Sequence, residues 1–336
     1  MNTIRKYFRV EHIIVVIVFL IGIILVIAEI DEIKLAIQQA DWRKLPGAVI
    51  LTAISYLAMS LSFALVCRFF NINMKVRDLA ELGFVSNTVN HVITTGGVAG
   101  FSLRFIVMGR HQVPIRDVIA SSMMHFYIAS VDMMVMLPVG LIYLLQNAQV
   151  ARGIGLILQT LTATLILFVI TGTFIIFNEK LRGSILRFAA QVTSNIARRD
   201  LKSTFRQFDK SMKRGIKIMR LKPTWVIIAI ILTWIDWFGS VFTLGYCLAA
   251  FGERQPFGVV MTGFVIAIIM GLISMIPGGI GVQEGAMTFV FHLLGVPIGQ
   301  AVLAPILYRA IFFFLPYLVS LIFYRPLMKT QSTTMQ

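Results

Sequence analysis

Five charged side chains and one histidine stand inside stretches that are otherwise apolar: Arg104, Asp132, Asp236, Glu284 and Arg309, with His125 as a titratable neighbour. A charge at the centre of a bilayer costs on the order of 3 kcal/mol on insertion scales, so each of them is a candidate for function. An arginine set among free backbone N–H groups suits a phosphate, because its planar fork matches the oxyanion. Glu284 suits three partners: a cationic head group, Arg309, or an exchanging proton. His125 and Asp132 lie seven residues apart and therefore on one helix face. With Asp236 they suit interhelical hydrogen bonds or a polar relay for protons. No catalytic residue, metal or cofactor is expected. The chain has no Gly-x4-Gly-Lys-Ser/Thr loop, no His-Glu-x-x-His, no Cys and His cluster and no Gly-x-Ser-x-Gly elbow.

Two of these charges follow a motif that occurs twice. Gly96-Gly97-Val98 precedes Arg104, and Pro277-Gly278-Gly279-Ile280-Gly281 precedes Glu284. Each is followed by Val-Pro-Ile, at Val113-Pro114-Ile115 and at Val296-Pro297-Ile298. Glycine interrupts a helix through its backbone entropy and proline through its missing donor, so each copy predicts a break, a short helix and a tight turn. In a bilayer such breaks persist where protein or a water-filled cavity covers them, and paired breaks in two halves of a chain point to a translocation site. A second reading is that the glycines let helices pack closely.

The elements that must position these residues are membrane helices. Hydrophobic residues make up 58% of the 336 and charged residues 13%, which places the chain with integral membrane proteins. The net charge of +15 lies between apolar blocks rather than along one stripe, so nucleic acid is not an expected partner. Six full spans are predicted: Ile13 to Ala28, Leu45 to Cys67, Val118 to Leu145, Gly153 to Asn178, Pro223 to Gly252, and Ile298 to Tyr324. The first has basic residues before it and no small-residue cleavage site, so it reads as an uncleaved span. Leu79 to Met108 and Phe257 to Leu294 are each divided by a glycine motif and read as re-entrant hairpins.

The segment from Glu179 to Lys222 holds thirteen Lys or Arg against three acidic residues and is therefore expected to be cytoplasmic. Counting outward, both termini are cytoplasmic, the first hairpin enters from inside, and the second enters from outside. The expected fold is an all-α polytopic membrane protein with about six full helices and two opposed re-entrant hairpins forming an inverted repeat. Residues 1–336 form one domain: a first half over 10–178, the basic segment over 179–222 and a second half over 223–325. Ile185, Phe188, Val192 and Ile196, then Phe205, Phe208, Met212, Ile216 and Met219, recur at helical spacing. They predict amphipathic helices on an anionic leaflet, or a retention signal alone. Cys67 and Cys247 fall near opposite faces, so no disulfide joins them.

Pro277-Gly278-Gly279-Ile280-Gly281-Val282-Gln283-Glu284-Gly285 resembles a signature of the lysylphosphatidylglycerol synthase transmembrane, flippase-like family, in which Pro-Gly-Gly-x-Gly-x-x-Glu precedes a final span bearing an arginine, here Arg309. Gly96 to Arg104 is similar to the family's other signature, with Phe101 where an acidic residue is usual, so a paired-carboxylate mechanism does not carry over. The resemblance covers most of the chain, to about Arg325. It implies movement of phospholipids, such as aminoacylated phosphatidylglycerol, or of polyprenyl-linked lipids between leaflets. The bifunctional members carry a soluble transferase domain after the membrane part. This sequence ends at Gln336 without one, so synthase activity is not expected.

The combined reading is a lipid flippase of the cell membrane, non-enzymatic and with oligomers allowed. Arg104, Glu284 and Arg309, with Gly96, Gly97, Pro277, Gly278, Gly279 and Gly281, are its candidate substrate-binding residues. Two rivals stand beside it: a membrane-embedded lipid-modifying enzyme using His125, Asp132 or Glu284 as base, and a scaffold that recruits partners through the basic helices.

Overall fold

The computed structural model describes residues 30–92, 98–147, 152–197, 202–252, 254–274 and 276–328. The predicted span over 13–28 and the glycines Gly96 and Gly97 lie outside the described residues. Within them the chain is helical throughout, with no strand, as expected where a backbone without water must satisfy its own hydrogen bonds.

A short α1 (Ile30–Gln38) and a 3-10 turn (Trp42–Lys44) lead into α2 (Leu45–Phe69). The first interrupted segment forms α3 (Val76–Val92) and α4 (Val98–Arg110), followed by α5 (Ile115–Asn147) and α6 (Arg152–Phe177). The basic segment folds as α7 (Glu179–Ala197) and α8 (Lys202–Leu221). The second half repeats the plan with α9 (Pro223–Ala250), α10 (Phe257–Ser274), α11 (Val282–Leu293), α12 (Ile298–Arg309) and α13 (Leu315–Met328). A 3-10 turn at Pro277–Gly279 separates α10 from α11, and a π segment at Ala310–Phe314 joins α12 to α13.

The turn after each interrupted segment is the same structure built twice. Val113 N–H reaches back to the Met108 carbonyl at 3.0 Å, and Val296 N–H to Phe291 at 2.9 Å. Gln112 and Gly295, at equivalent positions, both adopt positive φ, 58° and 86°. Both turns close a helix with a left-handed residue, and the proline that follows starts the next.

Both interrupted segments are antiparallel helix pairs. In the first, Asn90 faces Gly100 and Ser86 faces Arg104. In the second, Gly271 faces Gln283 and Gly263 faces Phe291. The units then pack reciprocally: α5 lies on α10, and α13 lies on α3. Between them α2 and α9 form the central seam, also antiparallel, with Ser62 hydroxyl donating to the Ala229 carbonyl at 3.0 Å and Lys44 Nζ to Ala249 at 2.7 Å. Gly239 sits against Ser55 and Gly47 against Tyr246, so small residues bring the two backbones close. Cys67 and Cys247 end up near opposite ends of this seam as free, buried thiols.

Five stretches are long and apolar enough to cross a bilayer: Trp42–Phe69, Ile115–Asn147, Pro223–Ala250, Phe257–Ser274 and Ile298–Phe323. A sixth arises if Thr162–Phe177 and Glu179–Ser194, which meet at 97°, count as one bent span. Two details differ from the sequence reading. At 18 residues α10 is long enough to cross alone, whereas it was expected as one arm of a re-entrant hairpin; counting charges around a glycine break does not weigh the length of each arm. The basic segment does not behave as one amphipathic surface either. On α8, Met212, Ile216 and Met219 are buried, Gly215 abuts Phe70, and Arg214 and Ser211 bind Asp117 at 2.5 Å. On α7, Leu181, Ile185, Phe188 and Val192 remain exposed.

Candidate functional site

Arg104 is held inside the first helix pair. It is 5% exposed, its Nε donates to Ser86 Oγ at 2.8 Å, and its guanidinium carbon lies 3.9 Å above the Phe63 ring and 6.0 Å from Phe101. The cation–π contact contributes about 2 kcal/mol when desolvated, which does not replace a counter-charge. No carboxylate pairs with Arg104 among the described residues. The helix pair is fixed at this level by Gly100, whose N–H donates to Asn90 Oδ1 at 2.7 Å; a Cβ there would strike the Asn90 side chain and the Ser86 carbonyl. His125, on α5, stands at the edge of the same Phe63 ring, with centroids 5.4 Å apart. It is 2% exposed and its Nε2 has no hydrogen-bond partner among the described residues. Beside this cluster, Phe101, Ser102, Phe105, Ile106, Val118 and Ile119 line an apolar groove of about 300 Å³ between α4 and α5.

The second cluster is closed. Gly278, Gly279 and Gly281 have φ of 71°, 57° and 81°, so three left-handed residues within four reverse the chain from α10 to α11. Pro277 begins the 3-10 turn. Glu284, in the first turn of α11, accepts the Gly281 N–H at 2.8 Å and forms an ion pair with Arg309 Nε. Arg309 also donates to the carbonyls of Gly278 at 2.9 Å and Gly279 at 3.4 Å, and to Gln283 Oε1 at 3.3 Å. Its guanidinium carbon lies 4.9 Å from the Phe313 ring centroid. Of the three partners considered for Glu284, the structure supplies Arg309.

The two clusters are neighbours, since α3 touches the Pro277–Gly279 turn and His91, near the end of α3, packs on Phe313 at 5.0 Å. Arg104 and Glu284 do not pair with each other. Asp132 meets the expectation of an interhelical bond by accepting from Thr233 on α9. Asp236 departs from it: it is 6% exposed, and its Oδ1 has no partner among the described residues. Sequence reading passed over Ser86 and Asn90, although the polar run Ser86-Asn87-Thr88-Val89-Asn90-His91 in an apolar stretch is a signal of its own. It also passed over Gln283, which holds Arg309 from inside the glycine motif.

Among known proteins, the family model described as the lysylphosphatidylglycerol synthase TM region matches residues 13–320. A UPF0104 membrane protein from Methanothermobacter thermautotrophicus is 22% identical over 315 residues, 90% of each chain. A phosphatidylglycerol lysyltransferase from Staphylococcus aureus strain COL is 32% identical over 88 residues, 26% of this chain, and its counterpart in strain MRSA252 matches to the same extent. The matched stretch spans about a tenth of each staphylococcal protein.

Proposed function

Because this chain belongs to the lysylphosphatidylglycerol synthase transmembrane family, we propose that it moves lipids with a phosphate-bearing head group between the leaflets of the cell membrane. The observation that carries this reading is Arg104: a buried guanidinium that, among the described residues, has a neutral hydrogen bond to Ser86, two aromatic neighbours and no carboxylate. A buried charge requires a partner of opposite sign, and a lipid phosphate supplies it. The adjoining apolar groove suits an acyl or polyprenyl chain. In this reading the two helix pairs enter from opposite faces and form an inverted repeat, with α10 long enough to reach across the bilayer, and the antiparallel α2–α9 seam and the reciprocal packing support it. Both termini lie in the cytoplasm, and the exposed stripe of α7 rests on the anionic leaflet. The Glu284–Arg309 pair holds the second break in its closed form, and alternating access works by rearrangement around it. The activity is transport and not catalysis.

Leaflet exchange of fluorescent zwitterionic, anionic and lysylated phospholipids in proteoliposomes tests this. We expect head-group-dependent exchange over empty vesicles and a loss of at least tenfold in Arg104→Ala. Equal rates for the variant would refute the site, and covalently altered lipid by mass spectrometry would favour an enzyme. Cysteines placed at Ala99 and Gly281 should label from opposite sides; labelling from one side would remove the inverted arrangement.

A further inference from the structure

Asp236 lies at the centre of the α2–α9 seam and is used by nothing described so far. Its backbone carbonyl accepts the hydroxyls of Ser55 at 3.2 Å and Ser240 at 3.0 Å, which fixes α9 at this point while the carboxyl Oδ1 has no partner among the described residues. The elements packed around it bring the following polar and titratable groups. From α2 comes Tyr56, whose hydroxyl is committed to the Phe312 carbonyl at 2.8 Å. From α12 comes Tyr308, which shares a hydrogen bond with Ser240 and lies within electrostatic reach of Asp236. The next residue, Arg309, is committed to Glu284 and the glycine turn. From α5 comes Asp132, engaged with Thr233. From α3, His91 reaches the Tyr56 ring at 5.8 Å, and α10 carries no titratable side chain. The 3-10 turn at Trp42–Lys44 reaches α9 at its end, where Lys44 binds Ala249, and α8 adjoins its start. Among the described residues, therefore, no cation pairs with this carboxylate and no cluster of metal-ligating side chains occurs. An ionised carboxylate without a counter-charge is costly at such a place, and a bound proton removes that cost.

We propose that Asp236 is a proton-binding site, and that proton uptake from one side of the membrane and release to the other drives lipid movement. The step is a simple protonation: a carboxylate oxygen takes a proton from water when the seam opens to one face, the neutral carboxyl is carried in the closed seam, and the proton leaves to water on the opposite face. Position supports this. Asp236 sits on the seam where α2 meets α9, so motion of one of these helices against the other would change its access to water. This coupling rests on the transport reading; the proton site itself does not.

Two measurements separate them. Infrared spectroscopy of the protein in liposomes across pH reads the carbonyl band of a protonated carboxyl group; we expect a band that titrates in the wild type and is lost in Asp236→Asn. Should that variant not fold, Tyr308→Phe, which alters a group beside the carboxyl, should shift the same band. Lipid exchange under an imposed pH gradient reads the coupling; one proton per lipid limits the leaflet ratio to about tenfold per pH unit, and Asp236→Asn should abolish the response. A band unchanged in both variants overturns the site. A titrating band with exchange indifferent to the gradient overturns the coupling, and a titrating band with no exchange of any lipid upholds the site while refuting the transport reading.

Discussion

Replacing Glu284 or Arg309 should open the second break, and the amount can be worked from the contacts. Glu284→Gln keeps an oxygen for the Gly281 N–H but removes the counter-charge of an arginine whose side chain is 11% exposed, against 18% for the glutamate. Truncating one partner of a buried pair costs about 3–5 kcal/mol, and partial exposure places this one near the lower value. Arg309→Met loses the pair together with the bonds to Gly278, Gly279 and Gln283, so about 5 kcal/mol is expected, hydrogen bonds from charged donors being worth about 1.5–3 kcal/mol each before compensation. The double variant should then be no worse than Arg309→Met by more than about 1 kcal/mol, a coupling of about 2 kcal/mol. The molecule contains its own probe, because Cys67 and Cys247 are both fully buried and react with a thiol-specific fluorophore only on unfolding. At about 2–4 °C per kcal/mol, Glu284→Gln should lower the midpoint by roughly 6–12 °C. Effects that add to within about 0.5 kcal/mol would refute the ion pair as the closure of this break.

Other sites give sharper local tests. Pro316 has no N–H for the Phe312 carbonyl four residues back, and Tyr56 fills that role; Tyr56→Phe should destabilise by about 1–3 kcal/mol in the same thermal assay. Gln112 holds a left-handed backbone that glycine adopts freely, so Gln112→Gly should raise the midpoint by up to about 1 kcal/mol equivalent, whereas Gly295→Ala should lower it. Phe188→Glu on α7 removes an exposed apolar residue; weaker protection of α7 from proteolysis in anionic liposomes, with an unchanged midpoint, is the expected result.

Much of this was legible from types and spacing. The glycine motifs, the two Val-Pro-Ile turns and the pairing of Glu284 with Arg309 as one of its options could all be read, because proline and left-handed glycine act locally. What was hidden depends on three-dimensional company. Nothing in the sequence of α8 says that Met212 and Ile216 find Phe70 rather than lipid, since a helix face that suits a bilayer also suits a protein core. That Asp132 finds a hydroxyl, while Asp236 Oδ1 has no partner among the described residues, is likewise a matter of register between helices. Gly96 and Gly97 fall outside the described residues.

The linker between the two units has a consequence of parity. In the proposed topology α2 runs one way, the α3–α4 pair returns to where it began, α5 runs back, and α6 makes one further traverse before α9. That odd number of traverses is what would turn the second copy upside down relative to the first. Had the duplicated halves been joined without α6, α9 would run alongside α2 in the same direction, and the serine and glycine contacts of the seam could not register. In that topology a single helix, carrying none of the candidate site residues, decides whether two copies of one motif face each other inverted or merely follow in tandem.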